Sequence, residues 1–452
     1  MTHIVNVALR LSATAARDPD GIAVAEPAGR DAQGKRRYRQ VTFRQLEDDS
    51  NLLADGLRSL GVSDQTRMVL MVRPSIDFIS LTFALFKAGA VTVLIDPGMG
   101  RQNLVRCLAE SEPEGFVAVP LVHAVRSLLR GRFPKSRYHV TVGRRWFWGG
   151  TTLAHLRART LRPGFQPAAP RADDPAAVIF TTGSTGPPKG TLYSHGNFDR
   201  QVDELRDFYG IRPGELDLPG FPLFGLFNCA MGVTTVIPDM DPTRPAHVKP
   251  ELIIEAVRDW NITQAFGSPA LWNVVGRYCE DRGIVLPTLR RVLSAGAPVP
   301  PHVLRRMKRA IAADGEVHTP YGATEALPVA SIAATEVLDE TAARSRHGAG
   351  TCVGRRFPGI RWKVIRIEDG PLPAIEAAEE LPRGEIGELI VQGPVVTRRY
   401  VTRCEANALH KILDGHAFWH RMGDVGYLDE QDRFWFCGRK SHRVRAAHGE
   451  MY

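Results

Sequence analysis

The sequence predicts an α/β protein made of two doubly wound subdomains and a smaller β-rich one. Three observations carry that expectation. From about residue 40, apolar helix-length segments alternate with short β-branched runs; the alternation resumes after residue 194; and beyond about Gly350 the chain breaks into short strand-like pieces separated by glycine and proline. At 452 residues the chain is longer than one hydrophobic core usually covers. The changes of texture set the expected boundaries at 1–175, 176–349 and 350–438.

In the first subdomain Phe43 to Leu60 reads as a helix stopped at Gly61, Met68 to Val72 as a strand, Ser75 to Ala88 as a helix and Val91 to Ile95 as a strand closed by Asp96-Pro97. Phe78 to Ile95 carries one charge, Lys87, and could pass for a membrane span. Gly89 divides it into a buried helix and a strand, so no transmembrane segment is expected. Asn103 to Glu110 then reads as a helix and Phe116 to Val119 as a strand, while Arg130 to Pro175, rich in Arg, Gly, Pro and Trp, reads as an irregular excursion.

The second winding follows the same logic. Asn197 to Tyr209, Leu252 to Trp260, Pro269 to Arg282 and Pro301 to Ala313 have helical spacing, with strands expected at Gln264 to Phe266, Arg291 to Ser294 and Val317 to Thr319. The β-rich part contributes Arg361 to Arg366, Gly387 to Val391 and Phe434 to Phe436.

Composition excludes several classes. With 44% apolar and 24% charged residues this is an ordinary globular chain, neither disordered nor fibrous. The six cysteines are scattered without C-x-x-C pairs or zinc-type His spacing, which argues for reduced thiols in a cytoplasmic enzyme and against a cysteine metal site. Met1 to Arg17 lacks the continuous apolar core of a signal peptide. The net charge of +9 admits nucleic acid, a membrane surface or an anionic ligand. Its clusters, Lys35 to Arg37, Arg144 to Arg145 and Arg439 to Arg445, are short and lack interleaved aromatics, so no nucleic-acid partner is expected and solvated surface is the first reading.

The stretch richest in chemistry runs from Ala176 to Ser194. A β-like run leads into Thr181, Thr182, Gly183, Ser184, Thr185, Gly186, Pro187, Pro188, Lys189 and Gly190, and a second β-like run follows. Glycines let the backbone N–H groups approach an anion, the hydroxyls add donors and Lys189 adds charge. This is a phosphate cradle, but Pro188 and Gly190 flank the lysine where a Walker A loop has Gly and Ser or Thr. Further on, Tyr321, Gly322, Ala323, Thr324 and Glu325 set a hydroxyl and a carboxylate after a strand end, suited to a phosphate contact beside a divalent cation. Ser294 to Val299 is a small-residue turn against which a flat ring could lie. Asp424 could accept from both ribose hydroxyls, and Arg439 offers a guanidinium to ribose or phosphate.

The ordered set TTGSTGPPKG, SAGAPV, YGATE, GEIGEL, Gly423-Asp424 and Gly438-Arg439 resembles the acyl-adenylate-forming superfamily of AMP-dependent synthetases and ligases, across essentially the whole chain. The resemblance implies the fold of that superfamily's N-terminal domain, with ATP and Mg²⁺ as cofactors. It implies that Thr181, Thr182, Gly183, Ser184, Thr185, Gly186 and Lys189 hold the β- and γ-phosphates, that Thr324 touches the α-phosphate and that Glu325 holds Mg²⁺. Gly296, Ala297, Pro298 and Tyr321 would frame adenine, and Asp424 and Arg439 would take the ribose. Lys189, Thr324 and Glu325 would be the catalytic set.

Phe221 to Val236 sits where this superfamily lines the acyl pocket, and Phe221, Phe224, Phe227 and Met231 suit a long aliphatic chain better than an amino acid, which would need a buried carboxylate; plain core packing explains any one of them equally well. The longer string around it, with Ala265 to Trp272, is similar to bacterial olefin-pathway β-lactone synthetases. That similarity implies ATP-dependent adenylation of a long-chain 2-alkyl-3-hydroxy fatty acid and closure by its own 3-hydroxyl to a β-lactone. It also implies a thiolase, a reductase and a β-lactone decarboxylase as pathway partners. The alternative is a long-chain fatty acyl-CoA synthetase or acyl-AMP ligase passing the acyl group to a thiol. The usual hinge Asp or Lys is replaced by Ser441. Residues 439–452 are expected to be a hinge and the start of a truncated C-terminal domain, which in this superfamily carries the adenylation lysine.

Overall fold

The structure is a computed structural model that describes residues 4–180, 187–446 and 449–451. Two compact units are present: Met1–Val202 with Ile211–Asp239, and Asp203–Gly210 with Met240–Tyr452.

The first unit holds a seven-stranded sheet in the order Thr151–Thr152, Tyr138–Thr141, Gly115–Ala118, Arg67–Met71, Val91–Leu94, Pro175–Phe180, Gly190–Ser194. All neighbours are parallel except the last pair. Helix Ile76–Ala88 is the crossover that makes adjacent strands parallel. Ser75 caps it by accepting from the Phe78 N–H, and Gly89, at φ +83°, ends it in the left-handed conformation. Nearly every one of its side chains is buried, which explains its membrane-like composition. Among the described residues no helix is long and apolar enough to cross a membrane. Its one charge, Lys87, is fully buried and satisfied by Glu47 at 2.6 Å, Ser50 at 2.8 Å and Asn51 at 2.8 Å. Burial still pulls that ammonium down to about 8.

The expected irregular excursion is partly ordered. Residues 130–175 contain strands Tyr138–Thr141 and Thr151–Thr152 and helix Leu153–Arg157. Each is too short to show a period among the arginines and glycines. Strands Leu216–Pro219, Thr234–Val236, Ile22–Arg30 and Arg36–Thr42 form a second group in this unit.

In the second unit Gln264–Gly267, Arg291–Ser294 and Glu316–Ala323 are parallel, with helices Pro269–Arg282 and Pro301–Ala310 as crossovers. Glu316–Ala323 then turns back into Ala326–Ala333, and the sheet continues antiparallel through Thr351–Arg356, Arg433–Arg439, Ala417–Leu428, Gly387–Gln392 and Arg361–Ile365. The β-rich part therefore extends the parallel strands of its unit as one sheet. The α/β class and its β-rich segment stand as expected.

Candidate active site

In the first unit the two strands expected at the ends of 176–194 are present: Pro175–Phe180 and Gly190–Ser194 pair antiparallel, with Phe180 opposite Gly190. Thr181, Thr182, Gly183, Ser184, Thr185 and Gly186 lie outside the described residues. Lys189 is half-buried, one residue before the second strand.

In the second unit Thr324 and Glu325 occupy the turn between Glu316–Ala323 and Ala326–Ala333. Gly322 is required there, because a Cβ would stand 2.6 Å from the Ala326 carbonyl oxygen. Thr324 is half-buried and Glu325 buried. The backbone N–H and hydroxyl of buried Thr397 both donate to the Glu325 carbonyl, at 2.9 and 3.0 Å, so the turn is pinned from outside. The Tyr400 hydroxyl donates to Oε1 of Glu325 at 2.7 Å. Burial and the adjacent carboxylate both push the Tyr400 hydroxyl upward, so it remains a donor at any physiological pH. Lys411 feels the charge of the same carboxylate. Its ammonium donates to the Thr397 carbonyl and sits 5.8 Å from the Tyr400 ring and 5.2 Å from the Phe418 ring. Burial lowers it to about 7, against the raising pull of Glu325.

Asp424, Tyr321 and Arg439 are brought together. In the pairing of Ala417–Leu428 with Arg433–Arg439, Asp424 stands directly opposite Arg439. Oδ1 of Asp424 lies 2.8 Å from Nη1 of Arg439, an ion pair off the N–H direction rather than a hydrogen bond. Oδ2 accepts from the Tyr321 hydroxyl. Asp424 is 2% exposed, and desolvation raises its carboxyl to about 6 although Arg439 and Tyr321 pull it down. Burial and the Asp424 charge hold the Tyr321 hydroxyl far above its usual range.

Gly296, Ala297 and Pro298 follow strand Arg291–Ser294 and are exposed. Gly296 adopts φ +93° with open space where a side chain would be. The Ser294 hydroxyl just before them is buried without a hydrogen-bond partner among the described residues.

The aromatic segment of the first unit is helix Phe224–Met231, preceded by Phe221. Phe221 and Phe224 stack edge-on at 6.4 Å, and Phe224 and Phe227 at 5.9 Å, forming a ladder from an exposed rung at Phe221 to the buried Phe227 and Met231. Asn228 anchors the helix by donating to Asp217 at 2.6 Å. Gly225 lets it approach helix Ile76–Ala88, since a Cβ would meet Ile79 at 2.8 Å.

Sequence reasoning missed Tyr400, Lys411 and Thr397. Nothing local marks them: each is a lone residue in 397–411 whose meaning comes from meeting Glu325 across the fold.

A family model described as AMP-binding enzyme matches residues 11–401. The chain is 46% identical over all of its length to an olefin β-lactone synthetase of Stenotrophomonas maltophilia, covering 82% of that protein, and 45% identical to one of Xanthomonas campestris, covering 81%. In fold it is similar to a long-chain-fatty-acid–CoA ligase of Archaeoglobus fulgidus, with a TM-score of 0.79 at 21% identity over 97% of this chain and 85% of that one. The chain belongs to the AMP-binding enzyme family and is an ATP-dependent, AMP-forming ligase.

Proposed function

We propose that this enzyme adenylates the carboxylate of a long-chain 2-alkyl-3-hydroxy fatty acid and closes it to a β-lactone, releasing pyrophosphate and then AMP. The observation that carries the reading is identity of 46% along the whole chain to a protein named for that product. The aromatic ladder from Phe221 to Phe227, with Met231 beyond it, supports an apolar acyl group.

The residues divide the work as follows. Thr181, Thr182, Gly183, Ser184, Thr185, Gly186 and Lys189 hold the β- and γ-phosphates, Thr324 contacts the α-phosphate, and Gly296, Ala297, Pro298 and Tyr321 frame adenine. Asp424 accepts from the ribose hydroxyls and Arg439 orients it. Glu325 suits Mg²⁺: its Oε1 is engaged by Tyr400, Oε2 has no partner among the described residues, and no cluster of three or more His, Cys, Asp or Glu there could hold a metal alone. One protein carboxylate with the remaining ligands from phosphate and water is the usual Mg²⁺ arrangement. When bound there, Mg²⁺ offsets charge on the triphosphate.

The carboxylate oxygen attacks the α-phosphorus and pyrophosphate leaves; holding the two in line is the main contribution of binding. The 3-hydroxyl oxygen then attacks the acyl carbon, its proton is lost, and AMP leaves with the carboxyl oxygen it gained. Tethering within the substrate replaces a second bound reactant. The scattered cysteines, all free, support a cytoplasmic setting, and a thiolase, a reductase and a β-lactone decarboxylase are the proposed pathway neighbours.

The test is product analysis. Full-length enzyme with ATP, Mg²⁺ and a 2-alkyl-3-hydroxy acid should release AMP and form lactone without coenzyme A. A strict coenzyme A requirement with thioester as product would instead establish an acyl-CoA synthetase.

A further inference from the structure

We infer that the surface formed by helix Pro120–Leu128 and the loop 143–147 beside it docks on an anionic phospholipid bilayer. The helix turns two faces to different surroundings. His123 and Arg126 are buried, the latter over the Phe116 ring, whereas Leu121, Val125 and Leu128 recur at helical spacing on the exposed side. Leu121 is 71% and Leu128 80% exposed.

The loop extends the same surface. Gly143 lies against the Pro120 ring, and Trp148 stacks on His123 at 5.8 Å. Trp148 supports Trp146 at 5.4 Å and Phe147 at 5.1 Å, which are themselves 58% and 72% exposed. Large apolar side chains held outward together mark an interaction surface rather than scattered exposure.

Charge selects the partner. Residues 115–172 contain eleven Lys and Arg and no Asp or Glu, and five of them, Lys135, Arg137, Arg157, Arg162 and Arg171, are ion-paired with carboxylates outside that stretch. Arg130, Arg132, Arg144 and Arg145 are exposed, and among the described residues none of them is ion-paired. An apolar helix face and interfacial tryptophan flanked by exposed arginines is the composition of segments that lie at the lipid headgroup boundary. Anionic headgroups complement the arginines, and acyl chains accept the leucines and aromatics. The inference stands on this surface alone and does not depend on which acid is activated.

The experiment is sedimentation of the full chain with vesicles of phosphatidylcholine, and of phosphatidylcholine mixed with phosphatidylglycerol. Binding to the anionic vesicles only, weakened by salt and accompanied by a blue shift of tryptophan emission, is expected. Arg144→Gln with Arg145→Gln should lower partitioning about 30-fold. Trp146→Ser with Phe147→Ser should abolish both binding and the blue shift. Both pairs lie in an exposed loop, and unchanged thermal melting will verify their folding. Failure to bind either vesicle, or binding that both variants retain, overturns the proposal. So does loss of a homo-oligomer or of a complex with another enzyme in these variants with vesicle binding intact, which would make the surface a protein interface.

Discussion

The hydroxyl of Tyr400 donates to Oε1 of Glu325 at 2.7 Å, joining residues 75 apart in the chain. Glu325 would otherwise be a buried carboxylate free to turn; with Thr397 fixing its backbone and Tyr400 one oxygen, the other is presented in a single direction. A hydrogen bond to a charged group contributes about 2 kcal/mol. Tyr400→Phe should therefore raise the Mg²⁺ concentration needed for half-maximal AMP release by about 30-fold, with activity largely recovered at saturating Mg²⁺. Magnesium titration of both enzymes checks this; an unchanged Mg²⁺ requirement would show that Tyr400 only fills space.

Asp424 predicts a pH dependence of definite sign. Its carboxyl is raised to about 6 from the usual 3.8, so between those values the folded protein binds a proton that the unfolded chain has lost. Stability from this group is thus present at low pH and lost as pH rises through about 6. The difference amounts to at most about 3 kcal/mol. Asp424→Asn should melt higher than the parent at pH 7 and equally at pH 4, while binding ATP more weakly. In the parent, ATP affinity should fall as pH drops below about 6, because Asp424, the proposed ribose acceptor, becomes protonated. Parallel melting curves and nucleotide titrations across that range decide it.

Arg421 is a structural counterpart. It is buried with Glu388, bonded to Oε2 at 2.6 and 3.1 Å, and it also donates to the carbonyls of Glu368, Gly370 and Leu409. Lys440 reaches the same Glu388 oxygen at 3.0 Å, which ties the residue after Arg439 to this pair. Arg421→Met leaves the buried Glu388 carboxylate with Lys440 as its side-chain partner and removes the arginine's donors from the carbonyls of Gly370 and Leu409, while Lys440 still donates to that of Glu368 at 2.8 Å. It should cost about 3 kcal/mol, measured by denaturant unfolding.

The parts of the site legible in the sequence are those whose chemistry is written locally. Thr324 and Glu325 follow a strand end with a glycine turn, and the structure puts them in a hairpin turn that only Gly322 allows. Asp424 and Arg439 were readable as isolated groups, but their ion pair depends on the register between two strands, which no local pattern states. Tyr400 and Lys411 were not readable at all, because their partner lies in a distant turn. Helix Ile76–Ala88 was legible through its Gly89 stop, whereas strands Tyr138–Thr141 and Thr151–Thr152 are too short for alternation to stand out.

The most direct test of the chemistry follows carboxyl oxygen. With both carboxyl oxygens of the 2-alkyl-3-hydroxy acid labelled with heavy oxygen, adenylation and closure by the 3-hydroxyl should leave one label in AMP and one in the lactone carbonyl. The ring oxygen should stay unlabelled. Unlabelled AMP, with both labels retained in the lactone, would contradict an acyl-adenylate, because it would mean that the 3-hydroxyl carbon was activated and the carboxylate displaced its oxygen.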